Sequence, residues 1–146
     1  MNHLLLFQDD FVSDTRAVLA GRRLTHLREI LGKNPGDSVK AGLFGGKRGL
    51  AIIESIDDKQ AVLTTDFNSP PPPRIPMTLV IAMQRPKTLR KVLHCAASIG
   101  IGKIYIIRSW RVEKSYFSNP ILTDEGLREA LVSGMEQSLD TIAPSV

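Results

Sequence analysis

The chain has 146 residues, 42% hydrophobic and 23% charged, with a formal net charge of +4 and a sequence pI near 9.5. That make-up belongs to a globular protein of one or two domains, and no apolar run reaches the roughly 18 residues of a membrane span. The N-terminus lacks the basic start and cleavage site of a signal peptide, and the single cysteine, Cys95, excludes an internal disulfide and a cysteine-built zinc site. A cytoplasmic protein with no membrane partner is expected.

Taken in chain order, residues 23 to 31 predict one short helix, with Leu24, Leu27, Ile30 and Leu31 on one side and Thr25 as its start. Asn34-Pro35-Gly36-Asp37 is the turn that ends it. Strands follow at 39–44, 49–56 and 61–67, joined by a Gly45-Gly46 hairpin and by the turn Asp57-Asp58-Lys59-Gln60. Short strands with one small helix suggest a small closed β-barrel. Pro70 to Pro73 cannot donate ladder hydrogen bonds and favours a stiff extended chain, so a domain junction is placed there.

Beyond the prolines the period changes. Residues 77–83 are apolar without alternation, as a strand buried on both faces should be. Pro86 opens a helix that turns Leu89, Val92, Leu93, Ala96 and Ala97 inward and stops at Gly100. Residues 103–107 form a second buried strand, and 126–139 a second helix capped by Thr123 or Asp124. The order β-α-β-α argues for a parallel sheet. Two strands make a poor sheet and one helix per strand cannot cover both faces, so this half is expected to be incomplete, completed by another chain or truncated.

Charge is uneven along the chain. Residues 1–74 are nearly balanced, whereas residues 84–114 hold eight Lys/Arg against Glu113 alone. Gln84-Arg85-Pro86-Lys87 follows the carboxyl end of a buried strand and opens a helix, the place where open α/β sheets bind ligands. The loop Ser109 to Phe117 leaves the second strand with the only tryptophan, Trp110, beside Arg111 and Lys114; its rings either stack bases or pack back on the core. The three histidines have no ligand spacing, so no metal is expected, and Cys95 reads as a small buried residue. Glu136, if buried, needs partners.

Several stretches then resemble one family. Residues 23–37, with His26-Leu27 and Gly36-Asp37, are similar to the "H-L-x-x-V-L-R-x-x-x-G-D" opening of the RsmE family, methyltransferases of the N3 position of a uridine in 16S ribosomal RNA. Arg85 to Leu93 with Ile99-Gly100-Ile101 resembles that family's first knotted-domain helix and its exit. Arg111-Val112-Glu113-Lys114-Ser115-Tyr116, and Glu136-Gln137 with Asp140-Thr141 and Pro144, resemble a branch that keeps "R-V-E-K-S-Y" and "E-Q-x-x-D-T-x-x-P".

The resemblance implies an all-β part plus an α/β part: a PUA-like RNA-binding β-barrel over residues 1–72, then the first half of a SPOUT-type, trefoil-knot domain over 73–146. It implies S-adenosylmethionine as cofactor, 16S rRNA or the small ribosomal subunit as partner, and a homodimer. The family's "G-P-E-G-G" and "L-G-x-x-I-L-R" segments have no counterpart here, so cofactor-binding residues are expected beyond Val146 and no catalytic residue is named. Arg85, Lys87, Arg90, Lys91, Arg111 and Lys114 are the residues expected to hold RNA and to favour a developing uridine anion, with Arg23 and Arg28 as the barrel's contribution. The chain alone is expected neither to bind the cofactor tightly nor to methylate. Two other classes stay open, a stand-alone RNA-binding module and a dimerisation domain whose basic face is incidental.

Overall fold

A computed structural model describes residues 3–146; Met1 and Asn2 of the N-terminal stretch lie outside the described residues. The strands and helices are β1 (Leu4–Leu6), β2 (Phe11–Ser13), β3 (Arg16–Leu19), α1 (Gly21–Thr25), β4 (Ser38–Leu43), β5 (Arg48–Ile56), β6 (Ala61–Ser69), β7 (Ile75–Ala82), α2 (Pro86–Ser98), β8 (Ile101–Ile107) and α3 (Asp124–Ser138). No helix among the described residues is long and apolar enough to cross a membrane.

The first six strands form one mixed sheet in the order β1-β4-β5-β6-β3-β2, with β1 parallel to β4 and the other pairs antiparallel. Local chemistry sets its turns. Gly45 takes φ +78°, and Gly46 N–H donates to the Leu43 carbonyl at 2.8 Å. Asp57 Oδ1 accepts from the Lys59 and Gln60 amides at 2.7 and 2.8 Å. Leu4, Leu6, Leu19, Leu27, Ala51, Ile53 and Leu63 fill the core. Among the described residues no ladder joins β1 to β2, so hydrogen bonds do not close the sheet.

Helix α1 starts earlier than the sequence suggests. Gly21 enters it at φ +61°, and Thr25, the expected start, lies at its end with its hydroxyl donating to the Gly21 carbonyl. The chain then widens into a π-helical turn over His26–Ile30, and Gly32 leaves it at φ +56°.

In the second half β7 and β8 pair in parallel, with α2 and α3 packed on one side through Leu89, Leu93, Ala96, Ala97, Ala130, Leu131 and Met135. Helix α2 begins at Pro86 and gives way to Gly100 at φ +81°, and Thr123 Oγ1 caps α3 by accepting the Gly126 amide at 3.1 Å. The expectation of strands buried on both faces is corrected. Leu79, Ile81, Ile104 and Ile106 meet the core, while Val80, Tyr105 and Ile107 on the opposite face stay exposed, because no element covers it among the described residues. Cys95 is likewise exposed, not buried, because it sits on the outer side of α2. Ser145 adds a parallel bridge at the free edge of β8, donating to the Gly102 carbonyl and accepting from the Ile104 amide.

The proline segment separates the two sheets in sequence, yet the halves are tied together. Leu5 of β1 belongs to the second core, between Leu4 and Leu6 of the first. Arg22 donates three hydrogen bonds of 3.1–3.3 Å to the buried Glu136, the partner that carboxylate requires. Arg74 pairs with the buried Asp140 at 3.2 Å, and Arg128 lies over both Phe7 and Phe44.

Candidate nucleic-acid interface

The two parallel strands end together. Ala82 is level with Ile107, and the amide of the buried Met83 donates to the Ile107 carbonyl at 2.9 Å. Everything after that rung leaves the same edge. On one side the proline ring fixes the first turn of α2, leaving Arg85 and Lys87 exposed beside it. On the other side run Arg108, Trp110, Arg111 and Lys114, all exposed. Val112, Tyr116 and Phe117 turn back onto the core and anchor this loop, and Arg108 lies 5.1 Å from the Phe117 ring. Trp110 does not turn back: at 95% exposure its indole stands in solvent.

Glu113 is the acidic residue of this edge. The Ser115 hydroxyl, which donates to it at 2.6 Å, holds its pKa below the usual carboxylate value, with further help from Tyr116 and the charge of Arg85. A carboxylate so stabilised is a weak base, and its hydrogen bonds tie it to Ser115 within its own loop. Exposed guanidinium and ammonium groups around an exposed indole can hold phosphates while a base stacks.

The other expected contacts part company. Arg90 turns toward α3, 3.5 Å from Glu129, and lines a cleft with Phe7, Arg22 and Arg128 between the two halves. Lys91 borders an apolar groove with Leu79, Val92, Cys95 and Ile99. Arg28 pairs with Asp58 at 2.8 Å and reaches the Asp57 carbonyl, pinning the π-turn to the β5–β6 turn. Arg23 is only 19% exposed; its guanidinium grips Asp10 through two 2.6 Å bonds, donates to the Leu5 carbonyl and lies over Phe7. Its donors are engaged inside the fold, where it braces β1. Arg22 and Arg128, which line the cleft together with Arg90, are further cations outside the expected contact set. They are distant in sequence and meet only because the halves dock, so no local pattern marks the pair.

A family model described as an RNA methyltransferase domain matches residues 70–146, more than half of the chain. The chain belongs to the RNA methyltransferase domain family. The RsmE resemblance extends along its whole length. "Ribosomal RNA small subunit methyltransferase E" of Treponema pallidum is 29% identical over 99% of this chain and 55% of its own. "Ribosomal RNA small subunit methyltransferase E 1" of Borreliella burgdorferi is 27% identical over 100% of this chain and 60% of its own. The chain thus spans just over half the length of these curated relatives. The fold of this family member is shared with a solved ribosomal RNA small subunit methyltransferase E from Neisseria gonorrhoeae, bound to S-adenosyl methionine, at TM-score 0.67 and 19% identity, over all of this chain and 60% of that one.

Proposed function

We propose that this chain is the RNA-holding part of an S-adenosylmethionine-dependent ribosomal RNA methyltransferase acting on the N3 of a uridine in 16S rRNA. One observation carries the reading: in a chain of this family, the two parallel strands release Arg85, Lys87, Arg108, Arg111 and Lys114 at a single edge, with Trp110 exposed among them. These cations hold RNA phosphates and lower the cost of a developing uridine anion. Trp110 offers a face for a base that has left its stack. The six-stranded sheet reads as a PUA-like barrel over residues 1–72, and 73–146 as part of a SPOUT-type domain that works as a homodimer in the cytoplasm.

The cofactor does not fit the residues of the basic edge. A sulfonium is cationic, and the described edge offers exposed guanidinium and ammonium groups where an electron-rich, enclosed slot is needed. No catalytic step is therefore assigned to this chain's residues beyond binding and orienting RNA. A stand-alone RNA-binding module is the second reading, favoured by the same basic edge, which needs no cofactor to work.

The test is fluorescence anisotropy with a small-subunit RNA fragment across a salt series, joined to calorimetry with S-adenosylmethionine. The expected result is RNA binding that weakens steeply with salt, with the slope reduced by about 0.7–0.9 for each phosphate contact removed by Arg85→Gln, Lys87→Gln, Arg111→Gln or Lys114→Gln. RNA binding indifferent to these changes overturns the assignment of the edge. Micromolar cofactor binding by the chain alone overturns the expectation that it does not bind the cofactor tightly.

A further inference from the structure

A cleft of about 340 Å³ opens where β4, β5 and β6 meet the end of α3, bordered by His3, Leu50, Asn68 and Leu139, with the cations Lys40 and Arg48 and one carboxylate, Asp66. Its volume lies within the range of small-ligand sites. Three departures from ordinary local structure converge on it. His3 is buried, and among the described residues neither ring nitrogen meets a hydrogen-bond partner; leaving such a group unpaired is costly, and native structures rarely do so without a reason. Leu139 is the one non-glycine residue at positive φ among the described residues, at φ +59° and ψ +28°, and strain of this kind concentrates at functional sites. Strand β5 shifts register between Arg48 and Leu50. Gly49 permits this: a Cβ there would run into the Asp66 carbonyl oxygen of β6. Bulges of this kind re-aim side chains beside binding sites.

Arg48 is held in place without being neutralised. Its Nε donates to the Pro70 carbonyl at 3.0 Å and one terminal nitrogen to the Leu139 carbonyl at 3.4 Å, and among the described residues it makes no ion pair. Lys40 is exposed beside it. The strained turn at Leu139 thus presents the carbonyl that helps to fix the guanidinium.

We propose that this cleft seats one unpaired ribonucleotide, with His3 and Asn68 meeting the base edge and Arg48 and Lys40 the phosphate. The assignment rests on the RNA-binding reading above and places a second contact on the six-stranded sheet, away from the basic edge. The chemistry selects a nucleotide over a bare anion. A neutral imidazole presents one donor and one acceptor, as a base edge does, and burial together with the Arg48 charge keeps His3 neutral at pH 7. Asn68 adds an amide with both functions, and Leu50 and Leu139 supply apolar contact for a base face.

The experiment uses the full chain and a single-stranded oligoribonucleotide of mixed sequence containing 4-thiouridine, read by anisotropy and by mapping photo-cross-links. Cross-links are expected in the segments holding Lys40, Arg48–Leu50 or Asn68. His3→Leu and Asn68→Ala are each expected to weaken binding about tenfold, as the loss of one buried or base-edge hydrogen bond would. His3→Asn, which keeps a donor and an acceptor, is expected to recover part of that loss. If His3→Leu fails to fold, Asn68→Ala, on an exposed side chain, decides together with the cross-link map. Wild-type binding with both variants within twofold, and cross-links confined to the Trp110 loop, overturns the cleft and leaves the RNA reading standing. Absence of any RNA binding overturns both.

Discussion

Removing the Arg22 guanidinium should cost stability out of proportion to its exposure. Its side chain is 67% exposed, but Glu136, to which it donates at 3.1–3.3 Å, has only 3% of its side chain exposed. Breaking a buried pair by removing one partner costs about 3–5 kcal/mol, whereas an exposed pair contributes about 0–1 kcal/mol. Here the cation sits in water and the carboxylate does not, which places Arg22→Met at about 2 kcal/mol. For a chain of this size that is a fall in Tm of about 4–8 °C. Methionine keeps the apolar stem, so the change isolates the charge. The double variant Arg22→Met/Glu136→Met removes the stranded carboxylate and should recover most of the loss, because an apolar pair replaces a buried ion pair at little cost. Urea midpoints for the four proteins of this cycle provide the assay. If Arg22→Met lies within 0.5 kcal/mol of the parent and the double variant is no more stable than the single one, the pair does not hold the halves together and the reasoning fails.

Three further changes probe other contacts. Gly134→Ala should destabilise by at least about 2 kcal/mol in spite of alanine's better helix propensity, because its Cβ would run into the His94 carbonyl oxygen and come within 2.9 Å of the Ala97 Cβ; a higher denaturation midpoint would contradict the close approach of α2 and α3. Burial, aided by the Arg48 charge, lowers the His3 pKa from 6.5 to about 4. The unfolded chain therefore takes up a proton that the folded chain refuses, so this contribution is complete above pH 6.5 and drains away as pH falls toward 4. It amounts to at most about 3 kcal/mol, and His3→Leu should flatten the stability profile in that window; an unchanged slope would assign it to other groups. Trp110→Ala should leave stability within about 0.5 kcal/mol of the parent while weakening RNA binding. A large loss of Tm would mean that the indole packs after all.

Where local chemistry decides an element, the sequence was readable. The Gly45 and Asp57 turns, Pro86 and Gly100 around α2, and Thr123 at α3 each act within a few residues. Strand β1 was not readable. Leu4-Leu5-Leu6 is too short to show a period, and its partner is β4, with Leu4 level with Ala41. All three leucines are buried because the two cores claim alternate sides of one strand, a fact that exists only after docking. The basic edge was legible because β-α-β order places strand ends, and with them Arg85, Lys87, Arg111 and Lys114. The same reasoning misjudged exposure on β7 and β8, since an apolar run does not say which neighbours are present. Arg23 shows the limit for charges, because Asp10 engages it only once β1 folds back on α1.

The contacts between the halves also bear on how RNA would be held. Separate domains on a short linker ordinarily move against each other unless their interface is substantial. Here the segment after α3 is stitched to both sides of the proline stretch. Thr141 donates to the Gly46 carbonyl at 2.5 Å and accepts the Gly45 amide at 2.7 Å, while Asp140 holds Arg74. A swing about the prolines would break these contacts together with the Arg22–Glu136 pair and the Arg128 stack on Phe7 and Phe44. These contacts tie the part that carries the basic edge of β7 and β8 to the sheet that carries the His3 cleft. An RNA strand that meets both avoids part of the ordering cost that two loosely tethered sites would carry, so loosening the halves by Arg22→Met should weaken RNA binding even though Arg22 lies in neither proposed contact.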